Sequence, residues 1–105
     1  MSYCSDLAIQ LANDPDGKQY EFIVGMVGWD SDQTVKCRNG TAYLWEGVNH
    51  CPYALDIKHG LMDAFGISDE DIFIERWGEA AEGDYEQTGD GPCDYGIHVE
   101  KTLYA

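Results

Sequence analysis

Carboxylates are concentrated in the stretch from Ser68 to Asp94. Ten of its residues are acidic and only Arg76 is basic, so the stretch carries −9 of the −14 net charge of the 105-residue chain. The acidic residues are Asp69, Glu70, Asp71, Glu75, Glu79, Glu82, Asp84, Glu86, Asp90 and Asp94. Carboxylates form charge-assisted hydrogen bonds with Arg and Lys, and crowding them in one domain raises its electrostatic free energy. The stretch therefore predicts binding to a strongly basic partner, and a solvated surface without a partner is the alternative.

Two aromatic residues within this stretch, Trp77 and Tyr85, are candidate anchors for that partner. Tyr and Trp are frequent where a few residues carry most of the binding energy, and a neighbouring carboxylate accepts two N–H groups of an Arg. We predict that Trp77 and Tyr85 join the ten acids in one partner-binding site. A core position at the end of a strand is the alternative for Trp77.

Some of the acids recur at every second position: Asp69 and Asp71, then Glu82, Asp84 and Glu86. In an extended chain, side chains two residues apart project on the same side at about 6–7 Å from each other. A row of negative charges at this pitch fits a groove that holds a nucleic-acid backbone. The spacing therefore predicts that the acids imitate phosphates.

Five residues have side chains suited to zinc: Cys37, His50, Cys51, Cys93 and His98. Structural zinc sites usually contain a closely spaced pair of ligands, such as CxxC or HxxxH, and the chain has neither. Residues 84–89 match the opening of a calcium-binding EF-hand loop, but Tyr95 stands where that loop needs a Glu. No metal site and no cofactor are predicted.

Covalent catalysis needs a nucleophile, a base and a group that orients the base. His50 and Cys51 are neighbours in the chain, but no third member can be assigned to them. The sequence contains no nucleophile elbow, phosphate-binding glycine loop, HExxH or dinucleotide fingerprint. We predict a protein that is not an enzyme, and the alternative is a small enzyme that uses His50, Cys51 and His59.

The composition predicts one folded domain over residues 1–105, because 44% of the residues are hydrophobic. The strong negative field opposes direct binding to nucleic acid or to an anionic membrane. No basic region followed by an apolar run opens the chain, and no apolar run reaches the roughly 20 residues of a spanning helix. We predict a cytoplasmic protein with reduced cysteines; a halophile's acidic surface is another explanation for the charge.

Alternating apolar residues over 7–12 predict a first strand, with a helix over 5–13 as the alternative. A turn signal at 13–17 follows, and a second alternating run predicts a strand over 20–27.

Asn39-Gly40 is a strong hairpin signal between two further strands, 34–38 and 41–46. With these two residues as the turn, Lys36 would pair with Tyr43.

The strongest helix signal covers residues 52–65, with Pro52 in the first turn and Gly66 as a left-handed cap. The face predicted to be buried consists of Tyr53, Ile57, Leu61 and Ala64.

Residues 72–77 predict another strand, residues 78–92 a long loop, and residues 95–103 a last strand. The sum is an α+β fold, with a mostly antiparallel sheet of about five to six strands and one main helix packed on one face.

These features together predict a small acidic inhibitor that binds a basic, nucleic-acid-binding surface of another protein. Anti-CRISPR and anti-restriction proteins of phages and mobile elements act in this way, and the basis for the comparison is charge and size rather than a shared motif. An immunity protein or antitoxin that neutralises a basic nuclease toxin is the alternative, because it uses the same physics.

Overall fold

The computed structural model describes residues 4–78 and 85–93, with Cys4 described by its backbone alone. Its elements, in chain order, are β1 (Cys4–Leu11), α1 (Lys18–Val27), β2 (Gln33–Cys37), β3 (Gly40–Asn49), α2 (Ala54–Phe65), a short 3₁₀ turn (Asp69–Asp71), β4 (Ile72–Gly78) and β5 (Tyr85–Thr88). The strands form one sheet in the order β2-β3-β1-β4-β5, with every neighbouring pair antiparallel. Both helices pack on the same face of this sheet. The predicted α+β fold with an antiparallel sheet is confirmed.

The central strand β1 confirms the strand predicted over 7–12 and excludes a helix over 5–13. Ile9 pairs with Tyr43 of β3 on one side and with Ile74 of β4 on the other. The side chains of Leu7, Ile9 and Leu11 are fully buried beneath the two helices. Because every second residue of a strand points to the same face, this period of two produces one apolar face.

The prediction of a strand over 20–27 is wrong, because these residues belong to helix α1. Asp14 determines how this helix begins. Its carboxylate accepts hydrogen bonds from the backbone amides of Gln19 and Tyr20, both at 3.0 Å. The first turn of a helix leaves such amides without partners inside the helix, so the contact stabilises the helical conformation. Ile23 and Val27, four residues apart, are then buried against the sheet.

The hairpin predicted at Asn39-Gly40 is confirmed, but its register is shifted. The turn lies at Arg38 and Asn39, so that Lys36 pairs with Thr41 instead of Tyr43. Gly40 already belongs to β3, with φ 115°, and a Cβ atom there would lie 2.0 Å from the carbonyl oxygen of Leu11. Glycine is therefore required where β3 approaches the end of β1.

Helix α2 confirms the helix predicted over 52–65, and Gly66 ends it in the left-handed conformation, as expected. The structure buries Ala54, Ile57 and Leu61, whereas Tyr53 and Ala64 are exposed, so the predicted buried face is wrong at these two positions. Tyr53 precedes the first helical turn with an extended backbone. Helical spacing therefore does not place its side chain.

Strand β4 confirms the strand predicted over 72–77, and β5 corrects the loop predicted over 78–92. Residues 85–88 pair with β4, while Gly89 and the residues up to Cys93 follow outside the strand. Residues 79–84 and the predicted last strand at 95–103 lie outside the described residues. Within the described ranges, neither α1 nor α2 has the length and apolar character of a membrane-crossing helix.

Candidate partner-binding surface

The structure describes eight of the twelve predicted partner-binding residues and places them in three locations. Glu79, Glu82, Asp84 and Asp94 lie outside the described residues. Asp69, Glu70, Asp71 and Asp90 form what we term the acidic edge. Glu75, Trp77 and Tyr85 form a cluster on the sheet face opposite the helices, and Glu86 lies beneath α2.

The acidic edge is assembled from two segments of the chain. The 3₁₀ turn supplies three of its carboxylates, and the turn after β5 supplies Asp90. The backbone amide of Asp90 donates a hydrogen bond to the carbonyl oxygen of Asp69 at 2.8 Å, and Gly91 donates to Ile72 at 3.0 Å. Gly89, with φ 90°, allows this close approach, because a Cβ atom there would lie 2.1 Å from the Ile72 carbonyl oxygen. The acids at 69–71 and 90 therefore share one surface.

The local geometry of Asp71 corrects the prediction of an extended row at Asp69 and Asp71. Residues 69–71 form a 3₁₀ turn, in which alternate side chains do not project on one side. The Asp71 carboxylate folds back and accepts hydrogen bonds from the backbone amide of Ser68 (2.9 Å) and from its hydroxyl (3.1 Å). Asp71 therefore has a structural role within the acidic edge.

Among the described residues, Lys58 pairs with the acidic edge. Its Nζ lies 2.6 Å from Oδ1 of Asp69, and the side chains are 13% and 45% exposed, respectively. The lysine is therefore more buried than the carboxylate that it pairs with. Glu70 and Asp90 are exposed as well. Among the described residues of this surface, the exposed charges are therefore those of carboxylates.

Glu75 is absent from the protein surface, which is at odds with a direct role in binding. Its side chain is 1% exposed, and its Oε2 accepts a hydrogen bond from the Tyr85 hydroxyl at 2.5 Å. Within the described residues, Oε1 accepts no hydrogen bond. Burial, reinforced by the hydrogen bond to Glu75, raises the pKa of the Tyr85 phenol, which therefore keeps its proton at neutral pH.

The predicted anchors Trp77 and Tyr85 pack against each other. Their ring centroids are 5.4 Å apart in an edge-to-face arrangement, and both residues are half-buried. Trp77 also packs against Ala8 and Leu44 on the same sheet face. Trp77 thus takes part in packing within the fold, in line with the core position considered for it.

Arg76, the one base of the acidic stretch, is held inside the fold. Its guanidinium group pairs with Glu86, donates to the hydroxyl of Ser5 at 2.9 Å, and lies 5.3 Å from the ring centroid of Tyr53. Glu86 in turn accepts a hydrogen bond from the backbone amide of Ala54 at 3.3 Å. Through these contacts the Arg76–Glu86 pair joins β1, β4, β5 and α2. The position of Glu86 is also favourable because a carboxylate stabilises the start of a helix.

The environment of Cys51 opposes the role of an activated nucleophile. Its thiol is half-buried and donates a hydrogen bond to the carbonyl oxygen of Pro52 at 3.3 Å. Burial raises the pKa of the thiol to about 11; Arg76 opposes this shift and Glu86 adds to it. A nucleophilic cysteine needs the opposite shift. His50, with φ 54°, and His59 are both exposed.

In the part of the chain that the structure describes, no three His, Cys, Asp or Glu residues are grouped so as to hold a metal ion. Cys37, Cys51 and Cys93 are reduced cysteines. The fifth zinc candidate, His98, lies outside that part.

Sequence patterns missed the exposed apolar residues at the start of α2. Tyr53 is 62% exposed and Leu55 is 46% exposed. Leu55 and His59 are four residues apart on the solvent side of the helix, together with Asp56 and Asp63. Helical spacing in the sequence could have identified Leu55 and His59 as exposed, because they lie on the side of the helix opposite the buried Ile57 and Leu61.

The chain matches no protein-family model, no curated protein and no solved structure. The functional argument therefore rests on the placement of its side chains.

Proposed function

We propose that the protein is a small acidic inhibitor that binds the basic, nucleic-acid-binding surface of a target protein. Phages and other mobile elements use proteins of this type against CRISPR effectors and restriction enzymes. The observation that carries the proposal is the acidic edge, where a backbone hydrogen bond joins the segments of Asp69 and Asp90, and where the neighbouring Lys58 is less exposed than the Asp69 carboxylate that it pairs with.

Inhibition would be competitive. The Lys and Arg residues of the target bind phosphates, and the carboxylates of the acidic edge take the places of those phosphates. Long-range attraction between the charge of −14 and a basic surface would speed association, and salt would slow it. The target would then have to release the inhibitor before it binds nucleic acid.

The test compares two double variants of equal net charge. Glu70→Lys with Asp90→Lys reverses two exposed acids of the acidic edge, and Glu21→Lys with Glu46→Lys reverses two exposed acids elsewhere. The probe is an octa-arginine peptide, and binding is measured by calorimetry at two salt concentrations. We expect the first variant to bind about ten-fold more weakly than the second, a difference of about 1.4 kcal/mol.

Equal affinity of the two double variants would contradict the proposal, because net charge alone would then account for binding. A panel of purified CRISPR nucleases, restriction endonucleases and nuclease toxins identifies the class of target, with DNA cleavage as the readout. Inhibition confined to a nuclease toxin would favour the immunity-protein alternative.

A further inference from the structure

Glu75 lies in a group of four side chains on the sheet face opposite the helices. The register of β4 and β5 places Glu75 opposite Gln87 and Trp77 opposite Tyr85. Since alternate residues of a strand share a face, all four side chains project on the same side. The Tyr85 hydroxyl connects two of them, because it donates to Oε2 of Glu75 at 2.5 Å and to Oε1 of Gln87 at 3.3 Å. A carboxylate, a phenol and an amide thus meet at one place on the sheet.

The Glu75 carboxylate is buried without a compensating positive charge. The residue is 1% exposed, its Oε1 accepts no hydrogen bond, and within the described residues no base pairs with it. The neighbouring Arg76 pairs with Glu86 beneath α2, on the other face of the sheet. A buried charge is costly unless it is paired, and a buried oxygen atom without a hydrogen bond is one sign of a bound water molecule or ion.

The atoms that meet beside Glu75 define the class of ligand. Oε1 of Glu75, the Tyr85 phenol oxygen and the Gln87 amide oxygen are all acceptors, and oxygen acceptors suit both alkali-metal ions and ammonium groups. The group carries a single negative charge, which a monovalent cation neutralises. A calcium ion needs about six to eight oxygen ligands, more than this group offers. The arrangement therefore fits a monovalent cation.

We propose that Glu75, Tyr85 and Gln87 bind a monovalent cation, either an alkali-metal ion or ammonium. The cation contacts Oε1 of Glu75 and the oxygens of the other two side chains, while the Tyr85 proton stays in its hydrogen bond with Oε2. Gln87 is exposed, so the cation enters from its side of the group. Binding neutralises the buried carboxylate and links β4 to β5. This site does not depend on the proposed function.

The first measurement uses the link between cation binding and folding. Urea denaturation of the full chain is followed in equal concentrations of potassium, sodium, ammonium and tetramethylammonium chloride. A ligand that binds only the folded state raises the folding equilibrium constant, and a site that is nine-tenths filled raises it about ten-fold. We expect this difference between the preferred small cation and tetramethylammonium, which is larger and has no N–H group. The strongest effect from ammonium would identify an amine as the ligand, and the strongest effect from potassium or sodium a metal ion.

Variants of the carboxylate and the amide separate this site from general effects of salt. Glu75→Gln keeps the shape of the side chain and removes its charge, so the preference among the cations should disappear. Glu70→Gln is the matched control, because it removes the same charge from an exposed position and should keep the preference. Gln87→Ala changes an exposed side chain and should weaken the preference even if Glu75→Gln folds poorly.

The position of the cation is the second measurement. In crystals grown with rubidium chloride, anomalous scattering should give a peak beside Oε1 of Glu75. Peaks confined to the acidic edge would overturn the proposal, as would equal folding constants of the wild type in the four salts. A preference that Glu75→Gln shares with the wild type would overturn it too. None of these outcomes affects the octa-arginine experiment, which tests the proposed function separately.

Discussion

Two ion pairs in this protein have similar chemistry and different consequences. Arg76 and Glu86 form a pair whose side chains are 4% and 29% exposed, while Lys58 and Asp69 form one whose side chains are 13% and 45% exposed. The first pair has further partners in Ser5 and Ala54 and joins several elements. The second covers a base with an acid at the surface. The acidic stretch therefore supplies both an ion pair inside the fold, through Glu86, and negative charge at the surface, through Asp69.

Breaking the buried pair should have the largest effect. Arg76→Met leaves the Glu86 carboxylate beneath α2 without its counter-charge and removes the donor to Ser5. Removal of one partner from a buried ion pair typically costs about 3–5 kcal/mol. We expect a loss of this size in the free energy of unfolding, measured by urea denaturation.

The double variant Arg76→Met with Glu86→Leu separates charge from packing. Replacement of a buried pair by apolar residues is often neutral, so the second substitution should restore much of the lost stability. If the double variant is less stable than Arg76→Met alone, the helix-start contact of Glu86 with Ala54 outweighs the unpaired charge.

Much of the fold could be predicted because several elements bury one regular face. Leu7 and Ile9 in β1, like Ile57 and Leu61 in α2, repeat at the period of their element. Helix α1 could not be identified in this way, because a run of five alternating residues is too short to distinguish the two periods. The contact that favours the helix comes from Asp14, whose carboxylate accepts hydrogen bonds from two backbone amides of the first turn.

The candidate site was harder to predict, because charge in a sequence does not reveal burial. Glu75 and Glu70 are the same residue type only five positions apart, yet Glu75 is buried in β4 between β1 and β5, whereas Glu70 lies in the 3₁₀ turn before β4 and is exposed. The meeting of Asp90 with Asp69 depends on the tertiary approach of Gly89 to β4. Such long-range contacts have no signature in local spacing.

The buried Glu75 allows a second test of how much the contacts of a buried acid contribute to stability. Tyr85→Phe removes the hydroxyl that donates to its Oε2 and leaves a buried carboxylate without this hydrogen bond. An unsatisfied buried polar group costs about 1–3 kcal/mol, so we expect a loss of stability in this range by urea denaturation. Glu75→Gln combined with Tyr85→Phe is the control, and it should be less destabilised, because a neutral amide is easier to bury than a charge. Equal stability of Tyr85→Phe and wild type would show that the hydrogen bond contributes nothing.

Cys51, beside the buried pair, should make stability depend on pH. Burial raises the pKa of its thiol from 9.0 in the reference state to about 11, so the folded protein keeps a proton that the unfolded chain releases. The contribution is fully present below about pH 9 and is lost as the pH rises through about 11. As the pH rises from about 9 to about 11, the melting temperature of Cys51→Ala should therefore fall less steeply than the melting temperature of the wild type. Tyr43 and Tyr85 titrate in both proteins, so their contributions cancel in this comparison. Parallel plots of melting temperature against pH would therefore contradict the raised pKa of Cys51.

The partly exposed pair of Lys58 and Asp69 should have the smallest effect on stability, and its loss should strengthen binding to a basic peptide. Lys58→Met breaks the contact with Asp69, whose carboxylate is 45% exposed and can be solvated by water instead, so the free energy of unfolding should fall by about 1 kcal/mol or less. The variant also frees the Asp69 carboxylate, which should then bind the octa-arginine peptide more tightly than in the wild type. Lys18→Met is the matched control, because it removes the same charge from an exposed lysine on α1. A larger gain in Lys58→Met than in Lys18→Met would show that the lysine limits the negative charge of the acidic edge. Equal increases in affinity for the two variants would mean that peptide binding depends only on net charge. The two ion pairs would then differ only in how much they contribute to stability.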